Sequence, residues 1–296
     1  PDPNTREYLL VALSHLSTSY PGFLDVNTRE TPIPEILDLV HSRERTGSLA
    51  FNLQACLRAG ARVRDRLSED GWRLLNALPD HAEAPEFPAA ARTLQHLERL
   101  ALDLAAFAGI VTETLNHGHG WRFLESGRRV ERAIGGLSLL RSLVSSIYIT
   151  ALPSDAEPGG ASSIRHDQLL LETLLYMKDS LRLYRRRYAG AAIESDAALD
   201  ILLLDEGHPQ SVGYQIARLA ELSADYPPVG RGRSRAERLM IEAQSTLRLT
   251  ELERLDSDED LHATLERLSG LLFQFSDSLE SDYLRSTQLP TAVQTA

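Results

Sequence analysis

Apolar residues recur three and four apart along most of this chain, which is the period of an amphipathic helix. No stretch alternates convincingly as a half-buried strand would. The pattern therefore predicts an all-α fold, a multi-helix bundle of about ten helices. Asn4 with Glu7 reads as a capping box opening a helix to Leu16. Ser19-Tyr20-Pro21-Gly22 ends it in a turn, and a polar loop leads to a short helix from Glu35 to Ser42. Ser48 opens the next helix, whose apolar face runs through Leu49, Leu53, Cys56, Leu57, Gly60, Val63 and Leu67. Ser68-Glu69-Asp70 caps a helix containing Trp72, and Pro79 to Pro88 reads as a surface loop.

Two long helices follow, Ala89 to Leu115 and Trp121 to about Ile149, separated by Asn116-His117-Gly118-His119-Gly120. Gly135-Gly136 inside the second predicts a kink or a close backbone approach. Pro153 to Ser163 reads as a linker. Helical pattern resumes from Ile164 to Tyr188, Ser195 to Leu204 and Ser211 to Ser223. Ser234 with Glu237 and Ser257 with Asp260 mark the last two starts, and residues 286–296 read as a flexible tail.

The second long helix is unusual in its charge. Helical spacing puts Trp121, Leu124, Arg128, Glu131 and Gly135 on one face, beside a face of Phe123, Gly127, Val130, Ile134 and Leu137. Arg128 and Arg132, four apart, repel, so each needs an anion, and Glu131 can pair with Arg128 across three residues. Arg128, Glu131 and Arg132 thus form a candidate forked site for a carboxylate, a phosphate or an acidic peptide, with Trp121 and Arg122 beside it. Arg58, Arg62 and Arg64 could face the same site. The alternative is a structural ion-pair network tying helices together.

Composition narrows the function classes. A formal net charge of −11 argues against a general nucleic-acid binder, which needs a basic field. The cations are almost all arginine, and Lys178 is the one lysine of the chain. With Cys56 as the one cysteine, an intrachain disulfide and a thiolate metal cage are ruled out, and its place on an apolar face predicts a buried, inert thiol. No apolar run reaches the roughly 18 to 20 residues of a membrane span. The polar start without Met predicts a processed or excised chain, and the default location is cytoplasmic. His117 and His119, one residue apart, have no Cys or clustered Asp nearby, so no metal site is expected.

Ser48 to Ala55 and Ser211 to Arg218 look related, each opening with Ser, with an aromatic at the fourth position and then an amide, Asn52 or Gln215. An internal duplication within one domain, with pseudo-repeats 1–115 and 116–285, explains this economically. The two amides are candidate ligands for a carboxylate or peptide group, or partners for a neighbouring helix end.

Gly120-Trp121-Arg122-Phe123-Leu124 followed by Gly127-Arg128-Arg129-Val130-Glu131-Arg132-Ala133 resembles the signature of the alpha-E family, a helical domain named for its Glu-Arg motif. Ala12 to Phe23, Ser48 to Asn76, Tyr184 to Tyr188 and Leu202 to Gln215 resemble the same family. The variants present are similar to the branch fused behind a circularly permuted ATP-grasp domain, and such enzymes join carboxylates to amines through acyl-phosphates. Relative to that branch, an earlier motif-bearing helix and the ATP-grasp part are expected to lie outside this chain.

The resemblance implies an accessory module in peptide or amide bond formation, docking on an ATP-grasp partner and holding an anionic or peptide substrate. ATP and magnesium are then expected on the partner and no cofactor on this chain. Two alternatives stay open. One is an enzyme in its own right, acting on an amide or carboxylate through Glu131 with the arginines as anion clamps. The other is a scaffold whose charged helix forms a homo-oligomer interface. No self-contained catalytic motif decides between them.

Overall fold

Serine caps set the helix starts. In the computed structural model, which describes residues 3–83, 90–150, 161–188, 192–252 and 258–284, Ser48, Ser68, Ser211 and Ser234 each accept a backbone N–H at the head of a helix. Among the described residues the chain forms thirteen α-helices and no strand. The expected tail, the linker over residues 151–160, the loop over 84–88 and the cap at Ser257 lie outside the described residues.

The chain divides into two compact units, Pro1–Trp121 with Ser145–Leu170, and Arg122–Val144 with Leu171–Ala296. The first unit holds α1 (Pro3–Ser17), α2 (Val26–Glu30), α3 (Pro32–His41), α4 (Leu49–Arg62), α5 (Glu69–Ala77) and α6 (Ala90–Thr114). Helix α1 begins at Pro3, so Asn4 lies inside it rather than capping it. The stretch read as a polar loop carries two helix starts, Asp25 capping α2 and Pro32 at the head of α3. Proline fits a first turn, where its missing N–H is not needed.

Leu10, Phe23 and Leu39 form one core of this unit. Leu53, Leu75, Leu78, Ala82 and Leu100 form another, flanked by Trp72 and Phe107. Leu78–Ala82 is a 3-10 turn with Leu78, Pro79 and Ala82 buried, so the first part of the expected surface loop is core. The buried Cys56 expected from periodicity is instead exposed, because the face that packs runs through Ala50, Leu53 and Gly60. Partial desolvation still pushes its thiol above the ordinary range.

Ser68 anchors the junction of α5 and α6: it accepts from the Gly71 N–H at 3.2 Å and receives the Thr114 hydroxyl at 3.3 Å. Ser68→Ala is expected to cost about 1 kcal/mol in urea denaturation, whereas Ser68→Asp keeps an acceptor and loses less.

The second unit comprises most of α7 (His119–Thr150), the end of α8 (Ala161–Met177), α9 (Leu181–Arg187), α10 (Ser195–Leu199), α11 (Val212–Ala224), α12 (Arg235–Arg248) and α13 (Asp258–Leu279). The last three pack in sequence, α11 on α12 and α12 on α13. Leu137, Leu175, Ile201, Leu203, Ile216, Leu219, Met240 and Phe275 are among its fully buried side chains. Each such side chain contributes roughly 1.5–3 kcal/mol by leaving water.

Helix α10 continues into a π turn over Asp200–Leu204, with Ile201, Leu202 and Leu203 buried. The helix expected from Ile164 to Tyr188 is broken: Asp179 has φ 48°, Ser180 N–H donates to Leu175 O and Asp179 N–H to Tyr176 O. This is a Schellman ending with Asp where glycine is usual, and it leaves Lys178 as the capping residue of α8.

Candidate functional site

Helix α7 is continuous through Gly135-Gly136, and the close approach expected there is to Val212 of α11. Its buried stripe is Ser126, Val130, Ala133, Leu137 and Leu140. The face expected through Phe123, Gly127 and Ile134 is only partly right: Val130 and Leu137 are in the core, while Gly127 is exposed. The true stripe keeps the 3-4 spacing but is rotated by less than a turn, which brings Glu125 inside.

Glu125 is the acid of this site, with a side chain 9% exposed. It accepts from Arg128 Nη1 at 2.8 Å and pairs with Arg129 Nη2 at 2.5 Å. The Arg128–Glu131 pair expected from spacing is therefore corrected to Arg128–Glu125, the acid three residues back instead of three residues on. Glu131 is exposed and makes no ion pair among the described residues. Arg129, not singled out from the sequence, is half-buried, its side chain 19% exposed. Its Nη1 donates to Gln215 Oε1 at 3.1 Å, and its guanidinium lies 5.4 Å from the centre of the Tyr214 ring. Its Nε is buried without a hydrogen-bond partner among the described residues.

Gln215, buried, also donates from Nε2 to Pro209 O at 2.5 Å, so its amide locks α11 to α7 through Arg129. The loop before α11 is held by Ser180, whose Oγ lies 2.7 Å from His208 Nε2. Burial, with Lys178 and Arg187 nearby, holds the His208 imidazole below its ordinary pKa, against the opposing pull of Asp205. Desolvation and the charges of Arg128 and Arg129 likewise lower Arg132. Desolvation and the charge of Arg132 lower Lys178.

Most of the other candidates have partners of their own. Trp121 belongs to the first unit and stacks on His117, ring centres 4.2 Å apart, and His117 bonds the Thr112 carbonyl at 3.0 Å. No group of three or more His, Cys, Asp or Glu is arranged to hold a metal among the described residues. Arg122 pairs with Asp225 at 3.3 Å. Asn52, Arg58 and Arg64 also lie in the first unit. Asn52 Nδ2 donates to Ser48 O at 2.9 Å within its own helix, Arg58 is exposed, and Arg64 lies 5.2 Å over the Trp72 ring. The structure thus brings together Arg128, Arg132 and Gln215 of the expected set, and adds Glu125, Arg129, Lys178 and Tyr214.

The profile of the Alpha-E family, described as a predicted alpha-helical domain with a conserved ER motif, matches residues 4–284. The chain belongs to the Alpha-E family. The Glu131-Arg132 dipeptide quoted above is an ER pair, and it sits at the edge of this cationic cluster. Uncharacterised proteins of Mycobacterium bovis and Mycobacterium tuberculosis are 30% identical over 256 residues, covering 83% of this chain. The match covers 27% of each of those proteins, so this Alpha-E chain spans about a quarter of the length of the curated relatives it matches. No solved structure shows significant similarity to it. No helix of the described residues is long and apolar enough to cross a membrane.

Proposed function

We propose that this Alpha-E chain is an accessory binding module of an ATP-grasp amide-bond-forming system, and that its second unit holds an anionic or peptide substrate of the partner. One observation carries the reading. Arg128, Arg129 and Arg132 surround a single buried acid, Glu125, and Lys178 adds a further cation beside Arg132, in a chain whose overall charge is negative. Such an excess of positive charge is suited to holding an anion. Glu131, the candidate base of the enzyme alternative, stands in solvent outside this arrangement. The greater length of the mycobacterial relatives supports a module that works within a larger assembly. ATP and magnesium belong to the partner in this reading.

The test is sedimentation of the purified chain mixed with an ATP-grasp protein encoded beside it. A complex that Arg128→Glu weakens at least tenfold supports the module. Absence of any complex sinks it, as would turnover of an amide by the isolated chain that is lost in Glu131→Gln.

A further inference from the structure

Within the second unit, the partly buried arginines are mostly neutralised. Arg122, Arg128, Arg129 and Arg141 each have a carboxylate within ion-pair distance. Arg132 and Lys178 do not: neither side chain makes an ion pair or a hydrogen bond among the described residues. They are nevertheless close. Gly136 follows Arg132 by one helical turn on the same face of α7, and a Cβ at Gly136 would stand 3.8 Å from Lys178 Nζ. The Arg132 charge is felt at Lys178; Lys178 is half-buried, while Arg132 is exposed and feels the Glu125 charge as well. A half-buried ammonium that faces a second cation and has no carboxylate in ion-pair contact is unfavourable in the empty protein. Natural cores keep such an arrangement where it serves a site.

The backbone at this point brings the two helices close. Gly136 has no side chain beside the ammonium, and the Schellman ending at Asp179 fixes the backbone from which Lys178 reaches. His208 in the loop before α11 and Asp179 are the neighbouring titratable groups, and Val212 closes the far side of Gly136.

We propose that Arg132 and Lys178 are the two jaws of a subsite for one compact oxyanion, a carboxylate or a phosphate group, held between them on the solvent side of Gly136. The guanidinium offers a planar fork and the ammonium a point charge, a pair that suits either oxyanion. This deepens the binding-module reading and rests on it for the purpose of the site, though not for the existence of the site.

Because Lys178 is the one lysine of the chain, lysine labelled with carbon-13 at the ε position gives one reporter resonance from the jaw itself. That resonance is followed in the full chain at constant ionic strength while inorganic phosphate or acetate is added. A saturable shift with phosphate assigns a phosphate group, and one with acetate assigns a carboxylate. Either response should weaken at least tenfold in Arg132→Gln, with amide spectra confirming that the variant is folded. In the free protein, Arg132→Gln should also raise the pH at which the resonance titrates, because the neighbouring cation is gone. A resonance that neither anion moves saturably overturns the subsite, and this rests on the unmodified chain alone. A phosphate or acetate response without any ATP-grasp complex would leave the subsite standing and remove the module reading. A complex without any oxyanion response would do the reverse.

Discussion

Glu125→Leu is expected to destabilise the second unit by about 3 kcal/mol. The acid satisfies two guanidiniums at once, Arg128 at 2.8 Å and Arg129 at 2.5 Å. Their responses to its loss differ. Arg128, with a side chain 32% exposed, can turn outward and be hydrated. Arg129, at 19%, can reach water only by leaving the Tyr214 ring and the Gln215 amide. Most of the cost therefore falls on Arg129, a half-buried charge left without its carboxylate, and the apolar leucine offers it nothing. Glu125→Gln retains an acceptor of the same size and should fall between the two. Adding Arg129→Met to Glu125→Leu removes the stranded charge and should recover most of the loss, a coupling that a double-mutant cycle reads directly. Urea denaturation followed by circular dichroism measures the wild type, the two single variants of the cycle, the double variant and Glu125→Gln. A loss below about 1 kcal/mol for Glu125→Leu would mean that this ion pair within α7 is not what holds Arg129 against the Gln215 amide of α11.

The helices were legible in the sequence wherever a serine cap met a 3-4 apolar pattern. Ser48, Ser68, Ser211 and Ser234 each stand where the pattern placed them. Helices too short to show a period were not legible, which is why α2, five residues long, read as loop. The break at Asp179 was hidden for another reason. A left-handed aspartate at a helix end carries no glycine signal, so α8 and α9 read as one helix.

The site was legible only as a charged helix. From Arg128, Glu125 and Glu131 are equally placed at three residues, one behind and one ahead. Which one is buried depends on the side of α7 that meets α11, and that is tertiary. Lys178 and Tyr214 lie far along the chain, and no local period links them to Arg132. The available clue was that Lys178 is the one lysine among so many arginines.

Gly213→Ala is expected to cost on the order of 2 to 3 kcal/mol, although alanine is normally the better helix former. A Cβ at this position would stand 2.6 Å from the Leu204 carbonyl oxygen and 2.9 Å from its carbon, with the Leu203 oxygen at 3.1 Å. These are backbone atoms of the π turn, which cannot retreat because Ile201, Leu202 and Leu203 anchor it in the core. Helix α11 must shift instead, and it carries Gln215, whose amide is shared between Arg129 and the Pro209 carbonyl. The substitution should therefore loosen the cationic cluster as well as the packing. Gly127→Ala is the matched contrast in α7: it is exposed, nothing lies within 4 Å of its Cβ position, and it should gain about 0.5 to 1 kcal/mol. Opposite signs for two glycine-to-alanine changes in helices of one unit would separate close approach from propensity. If Gly213→Ala stabilised the protein as Gly127→Ala does, the tight contact between α11 and the π turn would be refuted, and with it the account of how Gln215 is held against Arg129.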